Sequence, residues 1–166
     1  MSDRLSEPAV VTPDDLALIP GAPLDPSARN RISEELGDYG CVLFRRFNLS
    51  TDKDFDEFIG SFGFENFRYD DSFSNAVRRN RTDRVFTANE APPDVEIHLH
   101  HEMAQTPFPP EKLFFFCLSA AEQGGETPLC RSDVLYRRLG EVDPLGAAAF
   151  EAKGVRYTTR MPGQNE

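Results

Sequence analysis

The chain has 166 residues, a formal net charge of −10 and an apolar fraction of 39%, with fourteen phenylalanines and no tryptophan. That length fits one domain or part of a larger one, and the apolar content suffices for a core filled largely by phenyl rings. The charge disfavours nucleic acid as a partner, because phosphate binding needs concentrated positive potential.

Residues 1–25 are rich in Pro, Asp and small side chains and read as a loose lead-in docked by Leu16, Leu18 and Ile19. The start carries no apolar signal segment and the hydrophobic runs are too short for a bilayer, so no membrane is expected and a reduced, cytoplasmic setting is the default. Asp25-Pro26 has the form of an N-cap followed by Pro at the first helical position, and Ala28, Ile32 and Leu36 extend a helix that stops near Gly37 and Gly40. Residues 41–44 (Cys-Val-Leu-Phe) predict a short strand. Thr51 then caps a helix whose stripe of Phe55, Phe58, Ile59 and Phe62 belongs to the core, with Gly60 and Gly63 at its end.

Residues 65–80 are polar and mixed, a candidate loop or lid. The arginines of residues 78–84 (Arg78, Arg79, Arg81, Arg84) suit a solvated loop, an anion or substrate-carboxylate site, or, least well, nucleic acid. Strands are predicted at residues 85–87, 113–118, 127–130 and 155–159, the second covered on both faces, with turns at residues 91–94 and at Gly124-Gly125. Ser132 is the predicted cap of a helix through Val134, Leu135 and Leu139 that ends at Gly140. The three cysteines, Cys41, Cys117 and Cys130, match neither a zinc site nor a disulfide framework, and Cys41 and Cys117 are expected as buried thiols.

Chemistry concentrates in residues 96–102 (Glu-Ile-His-Leu-His-His-Glu), which hold every histidine of the chain. On an extended strand, His98, His100 and Glu102 share one face and His101 points the other way. Such groups at a strand edge can simply be solvated. They can equally supply imidazole and carboxylate corners to a metal, and two histidines with one carboxylate suit non-haem Fe(II) oxygenases. His100 and Glu102 are the best candidates; spacing does not exclude His98, and zinc and manganese stay chemically possible. No nucleotide-binding loop or nucleophile elbow competes.

Residues 85–90 and 97–103, followed by residues 112–117 and the Gly124-Gly125-Glu126-Thr127-Pro128 turn, resemble the TauD/TfdA-like dioxygenases, closest to the clavaminate-synthase-like branch with its His-x-Glu pattern. Residues 38–45 and 55–63 match in character and order. The resemblance implies an α+β, mainly β fold: a double-stranded β-helix (jelly roll) with flanking N-terminal helices. It implies Fe(II), 2-oxoglutarate and O2, with His100 and Glu102 as metal ligands and Thr127 on a co-substrate carboxylate. It also implies hydroxylation of a small, amino-acid-like substrate, one of Arg78, Arg79, Arg81 and Arg84 meeting its carboxylate. The family's distal histidine and co-substrate arginine fall beyond the matching region, and no histidine follows His101. Residues 1–166 are therefore expected to form a single partial domain lacking the C-terminal half of the jelly roll. Expected partners are the small-molecule substrate and either further polypeptide or a homo-oligomer. The alternative is a non-catalytic binding or assembly module completed by another chain.

Overall fold

The computed structural model describes residues 7–19, 22–67, 78–88, 90, 92, 94–104, 106 and 109–158. Part of the polar segment (68–77), Ala91 and Pro93 of the expected turn, and residues 159–166, including the end of the last expected strand, lie outside the described residues.

The first half is a strand–helix–strand unit with a second helix behind it. Strand β1 (Ala9–Val11) pairs in parallel with β2 (Val42–Phe44), Ala9 opposite Val42 and Val11 opposite Phe44. Parallel neighbours require a crossover connection, and α1 (Pro26–Tyr39) supplies it. Its two ends behave as the sequence predicts. The Asp25 carboxylate accepts from the Ala28 backbone N–H at 2.8 Å, and Gly40 closes the helix at φ 74°, a left-handed conformation that costs glycine no Cβ clash. The second helix, α2 (Asp52–Gly60), begins with a reciprocal capping box between Thr51 and Asp54.

Between these elements lies the core. Val11, Leu16, Leu24, Ala28, Ile32 and Phe62 form its buried centre, with Val42, Phe44, Phe47, Phe58 and Phe114 packed around it. The rings meet mostly edge to face: Phe44 lies 5.1 Å from Phe58 and Phe58 lies 5.4 Å from Phe62, centroid to centroid. That geometry sets the positive edge of one ring against the negative face of the next.

The second half is differently built. Helices α3 (Ser132–Val142) and α4 (Pro144–Lys153) pack on each other. Asp143 ends the first and caps the second, its carboxylate accepting from the Gly146 N–H at 2.9 Å. Arg131 joins this pair to the first half: its guanidinium donates to the Asp38 carbonyl at 2.6 Å, near the C-terminus of α1, while gripping Asp133 through two nitrogens. A cation at a helix C-terminus opposes the negative end of its dipole.

Several expectations need correction. The lead-in is not wholly loose: Ala9–Val11 is a strand and Asp14–Leu16 a 3-10 turn, with Leu16 docked as expected but Ile19 76% exposed. Residues 85–87 contribute only an isolated bridge, Phe86 to Asn80. Residues 113–118, 127–130 and 155–158 run without strand pairing, because no neighbouring segment among the described residues offers them a hydrogen-bond ladder. The 113–118 run is covered on one face, not two. Phe114 packs on Phe62 and Phe116 stacks on Phe55, while Leu113, Phe115 and Leu118 are exposed. Cys117 falls on the outward parity and is exposed, whereas Cys41 is half-buried, and burial pushes its thiol pKa up. The cap position of α3 is Arg131 rather than Ser132, and the helix runs through Gly140 to Val142. The implied β-helix is not displayed in complete form: the described residues contain one two-stranded sheet. No helix among them is long and apolar enough to cross a membrane.

Candidate metal centre

Residues 95–101 approach the site as irregular chain rather than as a strand, so the two-residue alternation of side chains does not govern them. The chain then turns at Glu102, Met103 and Ala104. Met103 adopts φ 57°, and its side chain is only 4% exposed. A left-handed backbone at a residue with a Cβ costs about 1–2 kcal/mol, which burial of the thioether side chain offsets. Its carbonyl accepts from both the backbone N–H and the hydroxyl of Thr106, at 2.9 and 2.8 Å. The residue after Glu102 is thus fixed at both its side chain and its carbonyl.

The local geometry of His100 settles which ring nitrogen faces the carboxylate. His100 Nδ1 lies 2.6 Å from the His98 carbonyl oxygen. A carbonyl can only accept, so Nδ1 carries the proton and, in the neutral ring, Nε2 carries the lone pair. That Nε2 lies 3.9 Å from Glu102 Oε2. The other carboxylate oxygen, Oε1, accepts from Arg78 Nη2 at 3.2 Å. Arg78 also donates to the Thr87 carbonyl at 3.4 Å and lies over the Phe86 ring, 5.5 Å from its centroid. The side chains of Arg78 and Glu102 are 14% and 20% exposed, that of His100 57%.

The remaining candidates separate. His98 does not join the pair: its Nδ1 lies 3.5 Å from Glu96 Oε1. His101 hydrogen-bonds the Ser132 hydroxyl at the start of α3. Thr127 is exposed, on the segment after Gly124 and Gly125, whose φ angles are 67° and 80°.

Each arginine of the 78–84 run meets a carboxylate of the chain itself: Arg78 with Glu102, Arg79 with Glu90, Arg81 with Asp52 and Arg84 with Asp56. Two of these pairs fasten the run to α2. Burial raises the Asp56 pKa, but hydrogen bonds from Thr82 and Arg84 and the Arg84 charge outweigh it, leaving that carboxyl below its ordinary value. Spacing gave no signal for the Arg78–Glu102 pair, whose members are 24 residues apart.

The two donors fit a shared cation. Nitrogen and oxygen ligands sit ~2.1 Å from a first-row divalent metal, so two at right angles lie roughly 3 Å apart. The observed separation of 3.9 Å is longer than that by roughly 1 Å, so the two groups face each other and would draw together around a cation. Imidazole with carboxylate suits iron, manganese or zinc. No group of three or more His, Cys, Asp or Glu converges among the described residues; what they bring face to face is the His100–Glu102 pair.

Residues 8–161 match the family described as taurine catabolism dioxygenase TauD, TfdA family. The chain is 36% identical over 166 residues to a clavaminate synthase-like protein of Arabidopsis thaliana, covering 96% of this chain and 49% of that protein. It is 31% identical over 132 residues to the dapdiamide synthesis protein DdaC of Enterobacter agglomerans, covering 80% of this chain and 39% of that protein. The chain belongs to the TauD/TfdA family, whose fold is a jelly roll and whose members generally use Fe(II), 2-oxoglutarate and O2. It spans about half the length of the first of these relatives and less of the second.

Proposed function

We propose that these residues form the part of an Fe(II)- and 2-oxoglutarate-dependent oxygenase that supplies its first two iron ligands, His100 and Glu102, within a single partial jelly-roll domain. The observation that carries this reading is the facing pair: His100 Nε2, turned outward because Nδ1 donates to the His98 carbonyl, lies 3.9 Å from a carboxylate oxygen of Glu102. A shared cation can sit between two such groups, and a carbonyl-bound Nδ1–H is a common support of a metal-ligating histidine. Bound Fe(II) supplies the centre at which O2 and 2-oxoglutarate react, giving succinate, CO2 and an oxidised substrate.

The chain's own residues do the positioning. His98 orients the imidazole, Met103 fixes the turn that presents Glu102, and Thr127 donates its hydroxyl to a carboxylate of 2-oxoglutarate. The substrate is a small, amino-acid-like molecule, in keeping with the His-x-Glu pattern of the clavaminate-synthase-like branch. Further polypeptide supplies the third ligand, the co-substrate arginine and the strands that cover Leu113, Phe115 and Leu118, which are exposed.

The test is Fe(II)-dependent succinate formation from 2-oxoglutarate by the full reading frame. His100→Ala and Glu102→Ala are each expected to abolish it, and Thr127→Ala to weaken apparent co-substrate affinity. Normal turnover by both ligand variants would reject the assignment. A second reading, a non-catalytic module completed by a different chain, draws on the same exposed apolar face; a defined hetero-oligomer without succinate release would favour it.

A further inference from the structure

The two oxygens of Glu102 have different partners. Oε2 faces His100 Nε2 at 3.9 Å, while Oε1 is held by the Arg78 guanidinium at 3.2 Å. From this division we infer that Arg78 is a positioning residue that makes Glu102 a one-oxygen ligand, an inference that rests on the metal-site reading above. A carboxylate left to itself can chelate a divalent cation through both oxygens. With Oε1 bonded to a cationic donor, a second positive ion is repelled from that side and only Oε2 is offered. One coordination position that chelation would occupy then stays open for small molecules.

The placement of Arg78 is itself constrained from three directions. Its second nitrogen donates to the Thr87 carbonyl, its plane rests over Phe86, and the segment that carries it is clamped to α2 by Arg81–Asp52 and Arg84–Asp56. The guanidinium is therefore held before any metal arrives. Two effects of opposite sign act on affinity. The arginine charge withdraws electron density from the carboxylate and weakens its bond to a cation. The same contact fixes a side chain with three rotatable bonds in one direction, which removes an ordering cost that binding would otherwise bear. Orientation dominates here, because loss of a hydrogen-bond partner that orients a metal ligand typically costs about 10–100-fold in metal affinity.

The experiment is titration of the protein from the full reading frame with Co(II) alone, read by calorimetry and by the visible absorption bands of the bound ion. Arg78→Ala is expected to weaken Co(II) binding about tenfold or more and to shift the bands as Glu102 takes up chelation. Arg78→Lys, which retains one charged donor, is expected to recover part of the affinity and the original bands. Millimolar guanidinium added to Arg78→Ala is expected to do the same, a rescue that a purely structural role would not give. If Arg78→Ala fails to fold, shown by loss of its thermal transition, the Lys variant carries the comparison: bands unlike those of the unaltered chain would overturn the inference. Unchanged affinity and bands in Arg78→Ala would also overturn it. His100→Ala and Glu102→Ala run beside these variants. Binding indifferent to both would sink the ligand reading and the inference with it, whereas binding that needs both but ignores Arg78 sinks the inference alone.

Discussion

The two halves of this chain are held together by different means. In the first, α1 buries Ala28 and Ile32 against β1 and β2, and a continuous group of phenyl rings closes over them. In the second, α3 buries no residue, and Val142 and Leu145 at the α3–α4 junction are 84% and 83% exposed. Burial of an apolar side chain is worth ~1.5–3 kcal/mol, so the first half carries most of the hydrophobic stabilisation. The candidate chemistry sits in the second half, tied to the first at a few points. Met103 is buried, Arg78 reaches Glu102 from a segment fastened to α2, and Phe114 and Phe116 insert into the ring cluster. The first half thus carries most of the stability, while the candidate chemistry draws on residues of both halves.

The largest test of that contrast is Phe62→Ala. This ring touches Phe44, Phe58, Phe64 and Phe114, and its truncation is expected to cost about 3–5 kcal/mol in urea unfolding. A loss below about 1 kcal/mol would move the seat of stability elsewhere. Thr51→Ala removes the α2 cap and is expected to cost about 1 kcal/mol. Its partner Asp54 sharpens the test. Hydrogen bonds from the Ser50 backbone, then from the Thr51 and Ser50 hydroxyls, hold its carboxyl below the usual range. A depressed folded-state pKa stabilises above the unfolded value, ~3.9, and that contribution disappears as pH falls through the folded value. The Thr51→Ala deficit should therefore be full at pH 7 and shrink under strong acid; a deficit that grows on acidification would contradict the capping role. The smallest expected effect is Phe150→Ala, within about 0.5 kcal/mol, because the ring is exposed. A loss of several kcal/mol would mean that this face is covered in solution.

How far the sequence foretells this arrangement depends on how local each cause is. Asp25-Pro26 and Thr51 act on N–H groups within three residues, and both caps appear where the pattern places them. The same Asp-Pro signature stands at Asp143-Pro144 and marks the start of α4, so that helix was readable though not expected from the apolar pattern. By contrast, β1 has three residues, and its partner lies beyond the whole of α1; no periodicity reveals so short a strand. Residues 113–118 have the composition of a fully covered strand, but strand pairing is a property of neighbours, not of the segment. At the site, the spacing of His100 and Glu102 was legible and their separation was not. It depends on a ring nitrogen bound two residues back and on a left-handed Met103. The Arg78 contact is a tertiary event with no local cue.

The alternation at residues 113–118 also limits how this chain can vary. Phe114 and Phe116 are the inward members, and Leu113, Phe115 and Cys117 the outward ones. The run has no strand partner among the described residues to hold its register, so the contacts of Phe114 and Phe116 set which side chains face inward. Truncating these two rings together should therefore free the segment to turn Leu113 and Phe115 toward Phe55 and Phe62, whereas truncating Phe115 should leave the segment's facing intact.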